Sequence, residues 1–532
     1  MHGIGDEGAL AGLRDRAAAI AATWGATAAT TTTVGQERAI LRLFGVHGID
    51  RAGRPLAGEV VDRYIAPDPR RLGGGIALPF AIAMEEYDRS AQEVALEVAA
   101  GNIDLGLEAE LLADPERRAV AVARATRLSL SALERVDANR VARLELLDLL
   151  GDTPMPWVGI EIAAPAIVDA LDEARLALGA GVDLIRVGVP PSRELTEGMA
   201  RLGRSVEEWR AEPSSRGGLD ASDTHGAPVP TGSQRALAVL RRFADEAGAR
   251  RRGYVRILTD SQPLAAPDQA VVAAFERIDG VIADPMLEIV TGRVHPDRAI
   301  ADHVFAHRLL CRAGTRILVP AGPLLVAPDL ATGVPSDAPT RSGRALALQL
   351  LAVALARRDG LPAGSVCVGV LPDWLVDEPA APARAAAELA LRRALFPEQS
   401  LSFAEPVLEG RAALTWQAIV AAILPAADGV DMILRRATGA VGELAASTAE
   451  AAAVAKGLRS SREPSALAGV ALDHATRSME AAHAMLAALE EGGWRAFVDQ
   501  PLGLPAPVLG AEAVASRTEA FDPLSAVEPV RE

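Results

Sequence analysis

The chain has 532 residues, half of them hydrophobic and 3% aromatic, with a formal net charge of −16. Such a length allows roughly two to four domains, or one barrel with large additions. The acidic balance, with no basic stripe anywhere, excludes a nucleic-acid partner. Lys456 is the single lysine, so arginine supplies every other basic residue. Cys311 and Cys367 are the two cysteines, too few for a disulfide framework, and they read as small buried residues. The opening residues MHGIGDEGALAGLRDR contain no apolar segment after a basic start, and no run of about eighteen apolar residues occurs. A soluble, cytoplasmic chain with no membrane partner is expected.

Residues 1 to about 25 carry one amphipathic helical pattern, and the threonine-rich run at 26–33 fits a helix boundary. Ile40, Leu41, Leu43 and Phe44 then share one helical face, with Gly45 as its stop. Further helices are predicted at 56–66, 75–88, 91–100 and 117–150, so residues 1–150 read as an all-helical N-terminal region.

From 157 to 370 the pattern changes. Short apolar runs at 157–163, 183–189, 254–258, 280–283, 316–319 and 365–370 alternate with long Ala-, Leu- and Arg-rich helical stretches. Such alternation predicts βα units and a parallel sheet. Parallel strands covered on both faces read as continuously apolar, as these do. A barrel or an open doubly wound sheet would accommodate them, and either fold places chemistry where strands end. Residues 192–233, rich in Arg, Glu, Gly, Ser and Pro, are too long for a plain connection; a lid or docking segment and a surface excursion are both open. Beyond 370, helices are predicted at about 380–395, 411–424 and 428–445, with short strand candidates at 401–403 and 407–408. Residues 446–497 read as helical, and the tail after about 512 as loosely ordered. The expected division is 1–150, a barrel domain at 151–445, and a C-terminal helical region with a tail at 446–532.

No metal motif stands out. His303 and His307 are spaced i, i+4 without the glutamate of an HExxH site, and two helix-face histidines are the better reading. What remains is charge at strand ends: Glu161 inside the first apolar run, Arg186 and Arg256 in the second and third, and Asp284 after the fourth. A charge in a parallel strand is costly unless paired. Arg–Asp and Arg–Glu pairs inside the barrel are one reading. A charged ring that binds an anionic or zwitterionic ligand is the other.

These residues also carry a family likeness. Thr32-Thr33-Val34 followed by Glu37-Arg38-Ala39, Arg42-Leu43, Gly45, Gly48 and Asp50 resembles the N-terminal signature of the α subunit of cobalamin-dependent lysine 5,6-aminomutase. Ala100-Gly101-Asn102-Ile103-Asp104-Leu105, the run from Ala180 to Arg186, Tyr254-Val255-Arg256, and Glu276-Arg277-Ile278-Asp279 with Asp284 are similar to later segments of that subunit, in the same order. The resemblance covers roughly 5–445. It implies a TIM-like (β/α) barrel with added helices, and a smaller β subunit carrying the cobalamin domain and the lysine that holds pyridoxal 5′-phosphate. It also implies a 1,2-shift of an amino group on a small lysine- or ornithine-like amino acid, with adenosylcobalamin as second cofactor and a hetero-oligomeric assembly. The lone Lys456, in an Ala-rich helical stretch, fits a division in which another chain supplies the Schiff-base lysine.

Carried over position by position, the resemblance assigns cofactor binding to Arg186, Ser192, Ser261, Gln262 and Asp284. The match departs at the loops. Val187-Gly188-Val189-Pro190-Pro191-Ser192 replaces the family's TTGQS, so Ser192 is an approximate counterpart. A family serine falls at Gln262 or, with a one-residue slip, at Ser261, and a cofactor-stacking tyrosine falls at Leu287. The acidic NTGEDN loop becomes the uncharged Pro320-Ala321-Gly322-Pro323-Leu324-Leu325. An altered or inactive barrel homologue, acting as a partner or regulatory subunit, is the alternative expectation.

Overall fold

A computed structural model describes residues 7–48, 55–162, 167–187, 232–260, 264–290, 294–321, 336–370, 381–404, 430–436, 468–498, 514–518 and 520–525. Its strands are β1 (Thr31–Thr33), β2 (Trp157–Ile162), β3 (Leu184–Val187), β4 (Arg256–Asp260), β5 (Gly280–Ile282), β6 (Arg316–Val319), β7 (Val366–Gly369), β8 (Ser400–Ala404), β9 (Val430–Arg436) and β10 (Val514–Ser516). Strands β2 to β9 pair in sequence order and close as a parallel barrel through β2 and β9. This is the TIM-like barrel, with helices on the outside and chemistry expected at the C-terminal ends of its strands.

The barrel lumen holds its own apolar cluster: Trp157, Leu184, Leu258, Ile282, Leu318, Cys367, Met432 and Leu434. Two glycines make it possible. A Cβ on Gly159 would lie 2.2 Å from Leu184 Cδ1, and one on Gly280 would lie 2.6 Å from Leu258 Cδ2. Each empty side-chain position therefore receives a leucine from a neighbouring strand, Leu184 of β3 at Gly159 and Leu258 of β4 at Gly280.

The six apolar runs of the sequence all become barrel strands, with shifts of a residue or two at their ends. One barrel strand differs from expectation. Residues 430–436, predicted as part of a helix, form β9 instead. A short apolar run has the same look in either state, and pairing with both β2 and β8, together with the lumen contacts of Met432 and Leu434, decides it. The 401–403 candidate is β8, whereas the 407–408 candidate lies outside the described residues. At the chain's other end, Val514–Ser516 pairs antiparallel with Thr31–Thr33. The N-terminal region is thus not wholly helical, and the tail is not wholly loose: consecutive β-branched threonines favour extended backbone. Arg517 N–H also donates to Thr30 O at 2.7 Å.

The N-terminal helices are packed on the barrel's outer layer. Thr33 caps the helix Val34–Leu43, its hydroxyl accepting from Gln36 N–H, and all ten helix residues are buried. The 36-residue helix Pro115–Leu150 opens on an Asp114 cap with proline at its first position. The helix Ala468–Gly492 packs on Ala338–Arg358 and Ala381–Leu395. That contact is tied by a buried network in which Glu388 accepts from Ser342 and Arg392 and lies 2.6 Å from His474 Nε2. Arg392 and His474, together with the Ser342 hydroxyl, hold the Glu388 carboxyl down at about 2 against its burial.

Candidate active site

Strand parity builds the mouth of the barrel. Side chains two apart on a strand share a face. Arg186 stands two after Leu184, Asp260 two after Leu258 and Glu161 two after Gly159, so each follows a lumen position toward the strand's C-terminal end. Pairing in register puts Glu161 opposite Arg186. Arg186 Nη1 donates to Glu161 Oε2 at 2.7 Å, while Nε and Nη2 donate to Asp260 Oδ1 and Oδ2 at 2.9 and 3.1 Å. The guanidinium thus lies between two carboxylates, one contact being a fork to both oxygens of Asp260. Of the two readings left open by the sequence, pairing is the one realised at Arg186.

Asp284 follows β5 and is 2% exposed. Its Oδ1 accepts from the N–H groups of Met286 and Leu287 at 2.9 and 3.3 Å, at the start of the short helix Pro285–Val290. Its Oδ2 is buried with no hydrogen-bond partner among the described residues. Burial pushes the carboxyl up to about 7, with the two backbone donors pulling the other way. Leu287, where the resemblance would put a stacking tyrosine, packs against the lumen cluster, so that position does face the barrel interior.

Behind this wall, Glu288 is also buried, and its pKa is raised well above the ordinary carboxylate value by desolvation and by the nearby Asp302 charge. Its Oε1 lies 3.7 Å from His303 Nε2, too far for a hydrogen bond. Burial lowers His303 to about 3, so the ring is neutral at pH 7. His307 Nδ1 is 2.9 Å from Asp359 Oδ2. No group of three or more metal-ligating side chains occurs among the described residues.

Arg256 lies at the other end. It stands two before Leu258, its guanidinium 3.5 Å from the Trp157 ring centroid and paired with Asp152. Arg316 approaches the same ring at 4.8 Å. These residues plug the barrel floor, so Arg256 cannot share a ligand with Arg186 at the mouth. Ser192, Ser261 and Gln262 lie outside the described residues. Asp260, which accepts from both Nε and Nη2 of Arg186, was not among the predicted site residues; its parity with Leu258 places it on the lumen side, but its pairing with Arg186 does not follow from the sequence.

The signature in the N-terminal region does structural work. Arg38 and Arg42 both bind Asp268 on the helix Ala266–Phe275. Thr33 donates to Asp302, and Gln36 Nε2 to Ala301 O at 2.7 Å, both on the helix Pro296–Ala313. Glu37, raised by burial, accepts from the Thr32 hydroxyl and Ile76 N–H.

A closed (β/α) barrel with an ion-paired mouth and a sealed floor is the class that fold and site define. Residues 6–196 and 221–410 match the family model described as the D-lysine 5,6-aminomutase TIM-barrel domain of the alpha subunit. The chain belongs to that family. It is 26% identical over 287 residues to the lysine 5,6-aminomutase alpha subunits of Acetoanaerobium sticklandii and of Fusobacterium nucleatum, covering 54% of this chain and 50% of each relative. It therefore spans about half the length of the curated relatives it matches. Among solved structures, dihydropteroate synthase from Anaplasma phagocytophilum aligns over 57% of this chain and all of its own at 11% identity, with a TM-score of 0.36. That likeness is too weak to bear on function. No helix among the described residues is long and apolar enough to cross a membrane.

Proposed function

We propose that this chain is the barrel subunit of an aminomutase that shifts an amino group between adjacent carbons of a small lysine- or ornithine-like amino acid. In this reading it works in the cytoplasm with a smaller partner subunit. The partner carries the cobalamin domain and the lysine for pyridoxal 5′-phosphate, and both cofactors are shared across the assembly. Membership of the aminomutase family supports the reaction class. The observation that carries the reading to this chain is the barrel mouth: polar and charged side chains from β2, β3, β4 and the end of β5 stand above an apolar, close-packed lumen. A single lysine in 532 residues supports a partner that supplies the Schiff-base amine.

Pyridoxal phosphate, when bound, would supply a carrier for the migrating amine, and adenosylcobalamin the means of starting the rearrangement. This chain's own residues would bind and orient the amino acid, and its packed lumen keeps water from reaching the site from below. Asp284, whose buried Oδ2 has no partner among the described residues, would hold a proton toward the site. Ser192, Ser261 and Gln262 are proposed to face the cofactor from the loops after β3 and β4. Arg186 does not fit a phosphate as it stands, because Glu161 and Asp260 already take its donors. It would reach one only by giving up a carboxylate, and no step is assigned through it.

The test is co-expression with a candidate partner subunit, addition of both cofactors, and chromatographic separation of lysine and ornithine isomers. Amino-group migration is expected. No turnover together with no change in pyridoxal absorbance on adding either amino acid would overturn the reading and favour the inactive homologue.

A further inference from the structure

We propose that a small pocket outside the barrel, walled by Trp24 and Trp494 with the Asp297 carboxylate beside them, binds a free organic cation of the trimethylammonium class. Three elements meet there: the end of the helix Glu7–Ala29, the first turn of the helix Pro296–Ala313, and the short 3-10 helix Gly493–Phe497. Trp24, Thr27 and Ala28 share one face of the first helix. With Thr31, Asp297 and Trp494 they enclose about 160 Å³. An apolar cavity of about 150 Å³ takes one benzene, and a trimethylated ammonium has similar bulk. No barrel strand lines this pocket, so it is separate from the mouth.

The lining fixes the charge of the guest. Asp297 is the one ionised side chain in it, and no arginine contributes. Its carboxylate accepts no hydrogen bond among the described residues. The one ionic neighbour there is His295, whose Nδ1 stands 3.8 Å from Asp297 Oδ2, beyond hydrogen-bond length. A hydroxyl has a single proton to give. Thr27 spends its own on Thr23 O at 3.3 Å and Thr31 on Thr27 O at 2.9 Å, so both offer only lone pairs to the pocket. Apart from the two indole N–H groups, the polar lining is therefore made of acceptors. The helix Glu7–Ala29 also ends here with no basic residue in its last turn, which leaves the negative end of its dipole uncompensated. Indole faces attract cations through the ring quadrupole, and a methylated ammonium needs no hydrogen-bond acceptor. An anion would find a carboxylate and no countercharge.

The walls are braced for this use. Trp24 packs on Phe497 with ring centroids 6.2 Å apart, and Trp494 meets His295 at 5.1 Å in a T-shaped arrangement. Each tryptophan is thus held by a second ring, as a preorganised recognition site requires.

Ligand-detected NMR titration of the full chain tests the proposal, with choline, tetramethylammonium and 3,3-dimethyl-1-butanol (the uncharged isostere of choline) as probes. Choline should bind at least about tenfold more tightly than the isostere, the factor that two cation–π contacts and one ionic contact together provide. Trp494→Leu should weaken choline about fivefold, and Asp297→Asn about threefold with the isostere unchanged. Equal binding of choline and the isostere, no saturable binding of either cation, or wild-type choline binding in both variants would overturn the proposal. If melting temperatures show Trp494→Leu to be misfolded, Asp297→Asn decides, because that side chain is 47% exposed. Phosphatidylcholine vesicles form the last arm. Co-sedimentation of the chain with them beyond that with phosphatidylglycerol vesicles would transfer the site to a lipid head group and overturn the assignment of a free cation. No turnover is measured, so the outcome is independent of the amino-group migration assay.

Discussion

Arg38 and Asp268 form a fully buried ion pair that fastens the N-terminal helices to the barrel. Arg38 donates to Asp268 Oδ2 from Nε at 3.0 Å and from Nη2 at 2.7 Å, and Arg42 Nε donates to Oδ1 at 2.6 Å. The side chains of Arg38 and Asp268 are 2% and 0% exposed. Arg38 Nη2 also donates to Leu264 O at 2.8 Å, where Leu264 holds a left-handed φ of 66° just beyond the 261–263 segment. The pair thus secures one end of the loop that follows β4. Asp268→Ala would remove the buried carboxylate that both guanidinium groups share. It should cost about 3–5 kcal/mol in urea unfolding, and a loss below about 1 kcal/mol would show that water replaces the carboxylate.

The lumen makes a sharper packing prediction. Gly159→Ala puts a methyl 2.2 Å from Leu184 Cδ1 and 3.0 Å from Leu184 O. Overpacking of this kind costs about 1–3 kcal/mol. Since the nearest atoms belong to a side chain, Leu184→Ala in the Gly159→Ala background should recover part of the loss. Additive losses in a double-mutant cycle of denaturation midpoints would disprove the contact.

The pH dependence of stability should bear the mark of Asp284. Its folded-state pKa of about 7 is above the ordinary 3.8, so the folded chain holds a proton that the unfolded chain releases. The associated stability is complete below the unfolded value and is lost as pH rises through about 7. Asparagine keeps the capping oxygen and cannot ionise. The Asp284→Asn variant should therefore gain on the wild type between about pH 4 and 7, by at most about 4 kcal/mol, and hold that gain above. Melting temperatures at pH 5 and pH 8 check this; an identical difference at both would refute it. Glu288, raised by burial and by Asp302, should act in the same direction when replaced by glutamine.

The C-terminal helix gives the fourth test. A Cβ on Gly343 would meet Ser478 O at 2.3 Å and Ala482 N at 2.8 Å, both backbone atoms. The helices Ala338–Arg358 and Ala468–Gly492 touch there almost backbone to backbone, with only the Ala481 methyl beside the contact, 2.5 Å from the same Cβ. Gly343→Ala should push them apart, costing about 1–3 kcal/mol. Amide exchange should quicken along Ala468–Gly492 while the barrel strands stay protected. Uniformly unchanged exchange would place the contact elsewhere.

The barrel was legible because its strands are buried on both faces, so each appears as an unbroken apolar run between helices of a different period. β9 was not, because Val-Asp-Met-Ile-Leu satisfies either period and only its neighbours β2 and β8 decide. At the site, the residue types were visible and their partners were not. Arg186 is a charged residue in an apolar strand in any reading. That Asp260 holds it follows from the register of β3 against β4, which a sequence does not carry. Arg256 shows the same limit from the other side: its position in the strand, two before Leu258, sends it to the floor. The threonine and arginine signature read as a family mark, while its work is mechanical, since its partners Asp268 and Asp302 lie in helices far along the chain.

The ribbon of Thr31–Thr33 with Val514–Ser516 has a consequence for assembly. During synthesis the eight barrel strands emerge, and can close, before Val514–Ser516 exists to pair with anything. The threonine strand meanwhile waits with its edge unmet, although the helix it leads into already docks on the barrel through Gln36, Arg38 and Arg42. Completion of that edge is the last stitch. A nascent or trimmed chain lacking residues 514–518 should present Thr31–Thr33 as an open template for foreign strands.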